Sequence, residues 1–453
     1  MKIWAEQALT SQGWARDVLV TVGTDGCITN VQPNAHDTGA SRVGILLPAP
    51  ANAHSHAFQR AMAGLSEARG PDPQDSFWTW RKLMFRFLNR LSPDHVEAIA
   101  AYVQMEMLEA GYAANVEFHY LHHQPDGTPY ANLAEMSERI IAATETTGIG
   151  LTLLPVHYQF GGLDRRPLEA GQTRFGNDPD RFARLHEAAN TALQALPGDC
   201  AMGVAPHSLR AVAPDRLAQI VTLTDGPVHM HLAEQQAEVD EVYRALGKRP
   251  AEWVLENMAP DARYTFIHCT QMLPHETEAL ARSGAVAGLC PITESSLGDG
   301  IFDATRWLGS GGTIAVGSDS NLRIALAEEL RTLEYSQRLR DRSRAALATN
   351  AESTGRRLFS AVCKGGAIAA GRASGGLQPG LLADLIALDS SHVDLMNRQG
   401  DQILDSYVFA GDDRMVLDVW SAGRHLVQHG RHIRHHEITQ AYRAVLQNLG
   451  QDL

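Results

Sequence analysis

Cysteine is scarce. Cys27, Cys200, Cys269, Cys290 and Cys363 are scattered over 453 residues, with no CxxC pair among them. That argues against a disulfide scaffold and points to a reducing compartment, the cytoplasm. Positive charge is also short: 39 Lys+Arg against 52 Asp+Glu leaves a net charge of −13. A chain this acidic is a poor partner for phosphate backbones, so no nucleic-acid binding is expected. No apolar run approaches the ~20 residues that span a bilayer. The N-terminal MKIWAEQALT lacks the basic segment and apolar core of a signal peptide, so no membrane association is expected. HExxH is absent, as is HxE with PCxxC, and GSGGT (309–313) lacks the Lys-Ser/Thr of a phosphate loop. There is no internal repeat and no low-complexity tract.

What is present is a long chain, 44% hydrophobic, with a recurring pattern. Residues 1–47 read as short strands; ARDVLVTVGTDGCITNVQP carries a Thr-Asp-Gly turn between two apolar runs, a hairpin signal. From residue 48 eight short runs alternate with helix-like segments: ILLPAPANAH (45–54), AANVEFHY (113–120), GLTLLPVHY (150–158), AMGVAPHS (201–208), PVHMHLAE (227–234), YTFIHCT (264–270), AVAGLCP (285–291) and GTIAVGSDS (312–320). SPDHVEAIAAYVQMEMLEAG and LPHETEALARSG are typical of the segments between, the latter stopped by Gly. Eight strand–helix units predict an α/β fold, a (β/α)8 TIM-like barrel. Near residue 373 the pattern returns to β. The expected organisation is a small β domain built from 1–47 and 373–453 around a barrel at 48–372.

Barrel chemistry sits at the C-terminal ends of the strands. Strand one ends in His54-Ser-His56, strand five in His231 with Glu234 just beyond, strand six in His268, and strand eight in Asp319. A single HxH means little in a chain with 20 histidines. Four matching strand ends in barrel order mean more. Imidazole nitrogen and carboxylate oxygen are the usual ligands of a catalytic divalent ion. His54, His56, His231 and Asp319 make four; His268 and Glu234 are left for proton work. His229 reads as a supporting group.

NAHSH, HLAE, HC and GSDS, in this order and spacing, resemble the metal-dependent amidohydrolases over nearly the whole chain, including the GLLADLIALD strand. The matching subgroup is the mononuclear aminohydrolases, which remove ammonia from C=N groups. The resemblance implies one zinc-like ion on His54, His56, His231 and Asp319. Dinuclear members use a carboxylated lysine from strand four, and AMGVAPHS has no lysine. Within this chemistry Asp319 takes the proton of the attacking water, His268 orients it, and Glu234 protonates the departing nitrogen.

Metal ligands do not identify the substrate. Tyr120 ends strand two, His207 and Arg210 follow strand four, and Gln59 and Arg81 lie in the loop after strand one. One arginine alone would read as solvated surface. Two, with these neighbours, suggest a carboxylate-bearing small molecule. FWTWRKLMF, VEFHYLHH, APHSLRAV and CPITESSLGDG resemble the formimidoylglutamate deiminases, which implies a dicarboxylate substrate, N-formimino-L-glutamate, in histidine degradation. Nucleobase relatives tend to carry Ser-Asn after the strand-seven Cys-Pro, where this chain has ITESSLGDG. The alternatives are a deaminase of a purine or pyrimidine base or nucleoside, and a non-catalytic binding protein on the same fold. The latter would be expected to lack ligands, and none of the six candidates is missing. A homodimer is the expected assembly. The histidine-rich HGRHIRHH (429–436) reads as an exposed stretch.

Overall fold

The structure, a computed structural model, describes residues 1–37, 39–67 and 77–450, excluding the side chains of residues 77–79, 81, 82 and 170. Its centre is a ring of eight parallel strands: Ala51–Ser55, Ala114–His119, Gly150–His157, a fourth in two pieces (Ala201–Met202 and Ala205–Pro206), Val228–Leu232, Tyr264–His268, Val286–Leu289 and Thr313–Val316. Two parallel bridges close the ring, Val204 to Val228 and Ser55 to Asp319. The second closure depends on Gly317, where a Cβ would lie 2.5 Å from His54 N and 2.7 Å from its carbonyl oxygen. Glycine therefore lets the eighth strand end reach the first.

Helices pack around the ring because their starts are specified locally. Ser92, Asp178 and Ser353 accept hydrogen bonds from the backbone of His95, Arg181 and Arg356 at the heads of Pro93–Glu109, Pro179–Leu193 and Thr354–Ala369. Each such cap contributes about 1 kcal/mol. Among the described residues, no helix is long and apolar enough to cross a membrane.

Both chain ends supply the second layer, a mixed sheet of eight strands. Its order is Arg431–His432, Arg424–Gln428, Val416–Ser421, Leu385–Leu388, Ser41–Pro48, Lys2–Thr10, Gly13–Val22, Ile28–Gln32. The last two form the expected hairpin. Buried Arg372 ties this sheet to the barrel, with Nε 2.6 Å from Asp384 and Nη2 2.9 Å from Asp199.

Three local features differ from the sequence reading. The run 45–54 divides: Ile45–Pro48 pairs with Leu385–Leu388 in the mixed sheet, and only Ala51–Ser55 enters the barrel. Pro48 and Pro50 bracket the break, and proline has no N–H for a continuous ladder. The tail is not wholly exposed either. His432 is buried, its Nε2 2.9 Å from Thr147 O, and His435 Nδ1 is 2.7 Å from Glu109. Beyond it a helix, His435–Gly450, turns Ile438, Tyr442, Val445 and Leu449 inward, and Tyr442 stacks on Tyr102 at 4.1 Å. Those four positions follow the i, i+4, i+7, i+11 spacing of an amphipathic helix.

Candidate active site

The strand ends that carry the polar groups are also where the backbone departs from ordinary geometry. Ala233 (φ +51°), His268 (+72°), Cys269 (+54°), Asp319 (+46°) and Asn321 (+54°) all occupy the left-handed region. Such residues cost of order 1–3 kcal/mol each and persist only where their surroundings hold them. Here the holding is visible. Asp319 N donates to His54 O and His56 N to Asp319 O, both at 2.9 Å. Asn321 Nδ2 donates to Ser55 Oγ at 3.1 Å, and Cys269 N to Leu232 O at 3.0 Å. The distortion turns the side chains of strands six and eight toward one axis.

Around that axis His54, His231, His268 and Asp319 each offer a donor atom, all within 4.8 Å of one another. His56 stands just outside this group, yet its Nε2 lies 3.2 Å from the same Asp319 Oδ1 that His54 Nε2 approaches at 3.4 Å. His56 Nδ1 is 3.0 Å from Phe118 O and His231 Nδ1 is 3.2 Å from His207 O. A carbonyl there can only accept, so Nδ1 carries the hydrogen and the Nε2 lone pair faces inward. Both nitrogens of His54 are buried without a hydrogen-bond partner, a costly state that a cation would relieve. Burial pushes these rings toward the neutral, ligating form: His54 down to about 3, His56 below its ordinary value, and His231 well below. Burial alone would raise Asp319, but the His54, His56 and His268 rings beside it hold the carboxyl well below the usual range.

His268 differs in its partners. Its Nδ1 is 3.3 Å from Glu294 Oε1 and its Nε2 3.9 Å from Glu234 Oε1. Burial would lower it, but Glu294, Glu234 and Asp319 together push it up to about 10. Distance places it among the donors, but its Nδ1 faces a carboxylate where those of His56 and His231 face backbone carbonyls.

A cavity of ≈ 570 Å³, open mouth included, lies over this centre. Gln59, Tyr120, His207 and Arg210 line it beside His56, His231, Glu234, His268 and Asp319. Gln59 Nε2 donates to the Tyr120 hydroxyl at 2.7 Å, and His207 Nδ1 is 3.0 Å from Ser208 Oγ. Arg210 is largely buried, with Nη2 3.4 Å from Glu234 and Nε 3.9 Å from Glu238. Arg81 lies on the helix Phe77–Leu88, but its side chain falls outside the described residues. His229 turns from the centre, its Nε2 2.8 Å from Ala369 O.

The structure adds wall residues that sequence reasoning did not name: Trp80, Met84 and Phe85 from that helix, Tyr158 at the end of strand three, Phe175 and Leu297. Tyr158 could have been found, since it ends the third run as Tyr120 ends the second. Gln172 donates to its hydroxyl at 3.1 Å. Phe175 and Leu297 end two short helical segments, Ala170–Phe175 and Pro291–Leu297, that no periodicity marks.

A model described as "Amidohydrolase family" matches residues 45–426, and one described as "Formimidoylglutamate deiminase HutF, N-terminal domain" matches residues 1–44. The formimidoylglutamate deiminase of Pseudomonas aeruginosa is 47% identical over 451 residues, 99% of each chain. A 5-methylthioadenosine/S-adenosylhomocysteine deaminase of Shouchella clausii is 26% identical over 84% of this chain and 81% of its own. Among solved structures, an amidohydrolase from Brucella melitensis superposes with a TM-score of 0.95 at 45% identity, covering 99% of both chains. An adenosine deaminase from Xanthomonas campestris with bound zinc, 20% identical over 99% of this chain and 98% of its own, superposes at 0.83, a likeness of fold.

Proposed function

The chain belongs to the amidohydrolase family, and we propose that it is a deiminase that hydrolyses N-formimino-L-glutamate to N-formyl-L-glutamate and ammonia in histidine degradation. Full-length identity of 47% to a formimidoylglutamate deiminase supports the substrate. The observation that carries the chemistry is the single cavity in which a His/Asp donor set, a carboxylic acid and an arginine face one another.

The donor set suits one divalent ion, zinc being the natural choice for three imidazoles and a carboxylate. His54, His56, His231 and Asp319 would hold it, and the unpartnered nitrogens of His54 are the feature that asks for it. The fourth strand, Ala201–Met202 with Ala205–Pro206, offers no lysine to bridge a second ion. When bound, such an ion lowers the pKa of a water from 15.7 to about 7 and so supplies a nucleophile at neutral pH.

The chain's own residues do the rest. Asp319, ionised beside His54 and His56, accepts a proton from the attacking water. His268 hydrogen-bonds that water through Nε2 and orients it. As the new C–O bond forms, the C=N π pair moves to nitrogen, which takes a proton through Glu234. The tetrahedral carbon then expels ammonia and keeps a formyl C=O, so both protons of the water end on the departing nitrogen. Arg210, with Tyr120, His207 and Gln59, receives the glutamate carboxylates; Arg81 is assigned there by sequence alone.

The test is ammonia release from N-formimino-L-glutamate, N-formimino-L-aspartate and guanine by the purified, metal-replete protein. Formimino-glutamate should be the preferred substrate. Turnover of guanine with none of either formimino acid would refute the assignment.

A further inference from the structure

We propose that Glu294 is a positioning residue for this reaction: it fixes the His268 ring so that Nδ1–H points at Glu294 and Nε2 faces the reacting carbon. The proposal rests on the reading above that His268 acts there.

Glu294 is buried on the short helix Pro291–Leu297 that follows strand seven. Its Oε1 accepts the Cys290 N–H at 2.8 Å and lies 3.3 Å from His268 Nδ1. The oxygen is thus anchored to the end of its own strand before it meets the ring. On the other edge, His268 Nε2 faces Glu234 Oε1 at 3.9 Å. The ring lies nearly parallel to His231, at 5.5 Å and 22°. Stacking alone sets the ring plane but leaves open which edge points inward. A carboxylate at Nδ1 removes that choice and raises the basicity of Nε2.

The contrast with the neighbouring histidines sharpens the point. His56 and His231 are oriented by the backbone carbonyls of Phe118 and His207. A carbonyl selects the tautomer without adding charge, which suits a neutral ligand. His268 alone of these rings has a carboxylate on Nδ1, and that suits a ring that must orient the attacking water through Nε2 rather than ligate. A competing use exists, because donor atoms of His268, Cys290 and Glu294 also lie within 4.8 Å of one another. Oε1 is already committed to the Cys290 N–H, which argues against a cation there.

The experiment is steady-state kinetics on formimino-glutamate with E294A and E294Q, and with E294A placed in an H268A background. E294A should lose about 10- to 100-fold in kcat, the usual scale for an outer hydrogen-bond partner. KM should change by no more than about twofold, because ground-state binding is untouched. The Gln amide oxygen can take both hydrogen bonds, so E294Q should recover most of the rate. With His268 removed, E294A should cost nothing further. Spectra of the 15N-histidine-labelled holoenzyme should show a protonated Nδ1 at His268, assigned by its disappearance in H268A. Should E294A not fold, E294Q and this spectrum carry the test. Parent-like kcat in E294A, a further loss in the H268A background, an unprotonated Nδ1, or loss of a second bound ion from the Glu294 variants would each overturn the proposal. A parent-like H268A would instead refute the role of His268, with the hydrogen bond to Glu294 still decided by the spectrum.

Discussion

Replacing Arg210 with methionine separates two duties that the structure assigns to one side chain. Its guanidinium lines the cavity, where an incoming carboxylate would meet it, and it also lies 3.4 Å from Glu234 and 3.9 Å from Glu238. Truncating one side of a buried charge pair costs about 2–5 kcal/mol. At about 1.4 kcal/mol per decade, kcat/KM on formimino-glutamate should fall by roughly one and a half to three and a half decades. The sequence alone suggests that an uncharged formamidine, a poor substrate, would be unaffected. The pairing with Glu234 changes that expectation. Both contacts are long for hydrogen bonds, so their loss is worth about 0.5–1.5 kcal/mol, at most about one decade on formamidine. Glu238 keeps its bonds from the backbone N–H groups of Ala233 (3.2 Å) and Glu234 (3.1 Å), so the variant should fold and retain its metal. The assay is ammonia release from both compounds under matched conditions. Equal losses on both would show that Arg210 serves only Glu234; no loss on either would refute its place in the site.

Glu234→Gln and His268→Asn should each keep the metal and lose about 10²–10⁴ in kcat, since Glu234 delivers a proton and His268 orients the water, neither as a ligand; metal loss with rescue by added metal would contradict the roles. Elemental analysis should find one tightly bound divalent ion per chain, and chelation should abolish turnover while leaving most of the circular dichroism signal, because the barrel has its own core. Arg372→Met, far from the chemistry, should lower unfolding free energy by about 3–5 kcal/mol in a denaturant titration by stranding Asp384 and leaving Asp199 with Arg424 alone, with kcat unchanged. Burial alone would raise Asp199, but Arg424 and Arg372 hold it below its ordinary 3.8. Its contribution is therefore full above that value and lost as pH falls through the lower folded one, and R372M should weaken this acid dependence of stability.

Much of the site was legible because each contribution is local. His54 and His56 share a strand end, His231 and Glu234 flank another, and His268 and Asp319 each close a short apolar run. A barrel converts strand order into proximity, so reading eight strand ends in sequence was enough to propose one centre. The hairpin near Gly26 and the helix stopped before Gly284 were legible for the same reason: turn chemistry and periodicity act over a few residues. What the tertiary structure alone decided lies across the ring. The Ser55–Asp319 bridge needs Gly317 against His54, 263 residues apart (317 − 54). The run 45–54 looked continuous because pattern does not say which sheet a strand joins. Glu294 reaches His268 from the next strand's helix, and Arg210 turns toward Glu234 and Glu238, contacts that no periodicity encodes. Sequence by itself determined which polar groups close the barrel strands, since backbone pattern places them. Only packing determined which of those groups pair with each other, because that depends on ångström distances between side chains brought together by the closure of the ring.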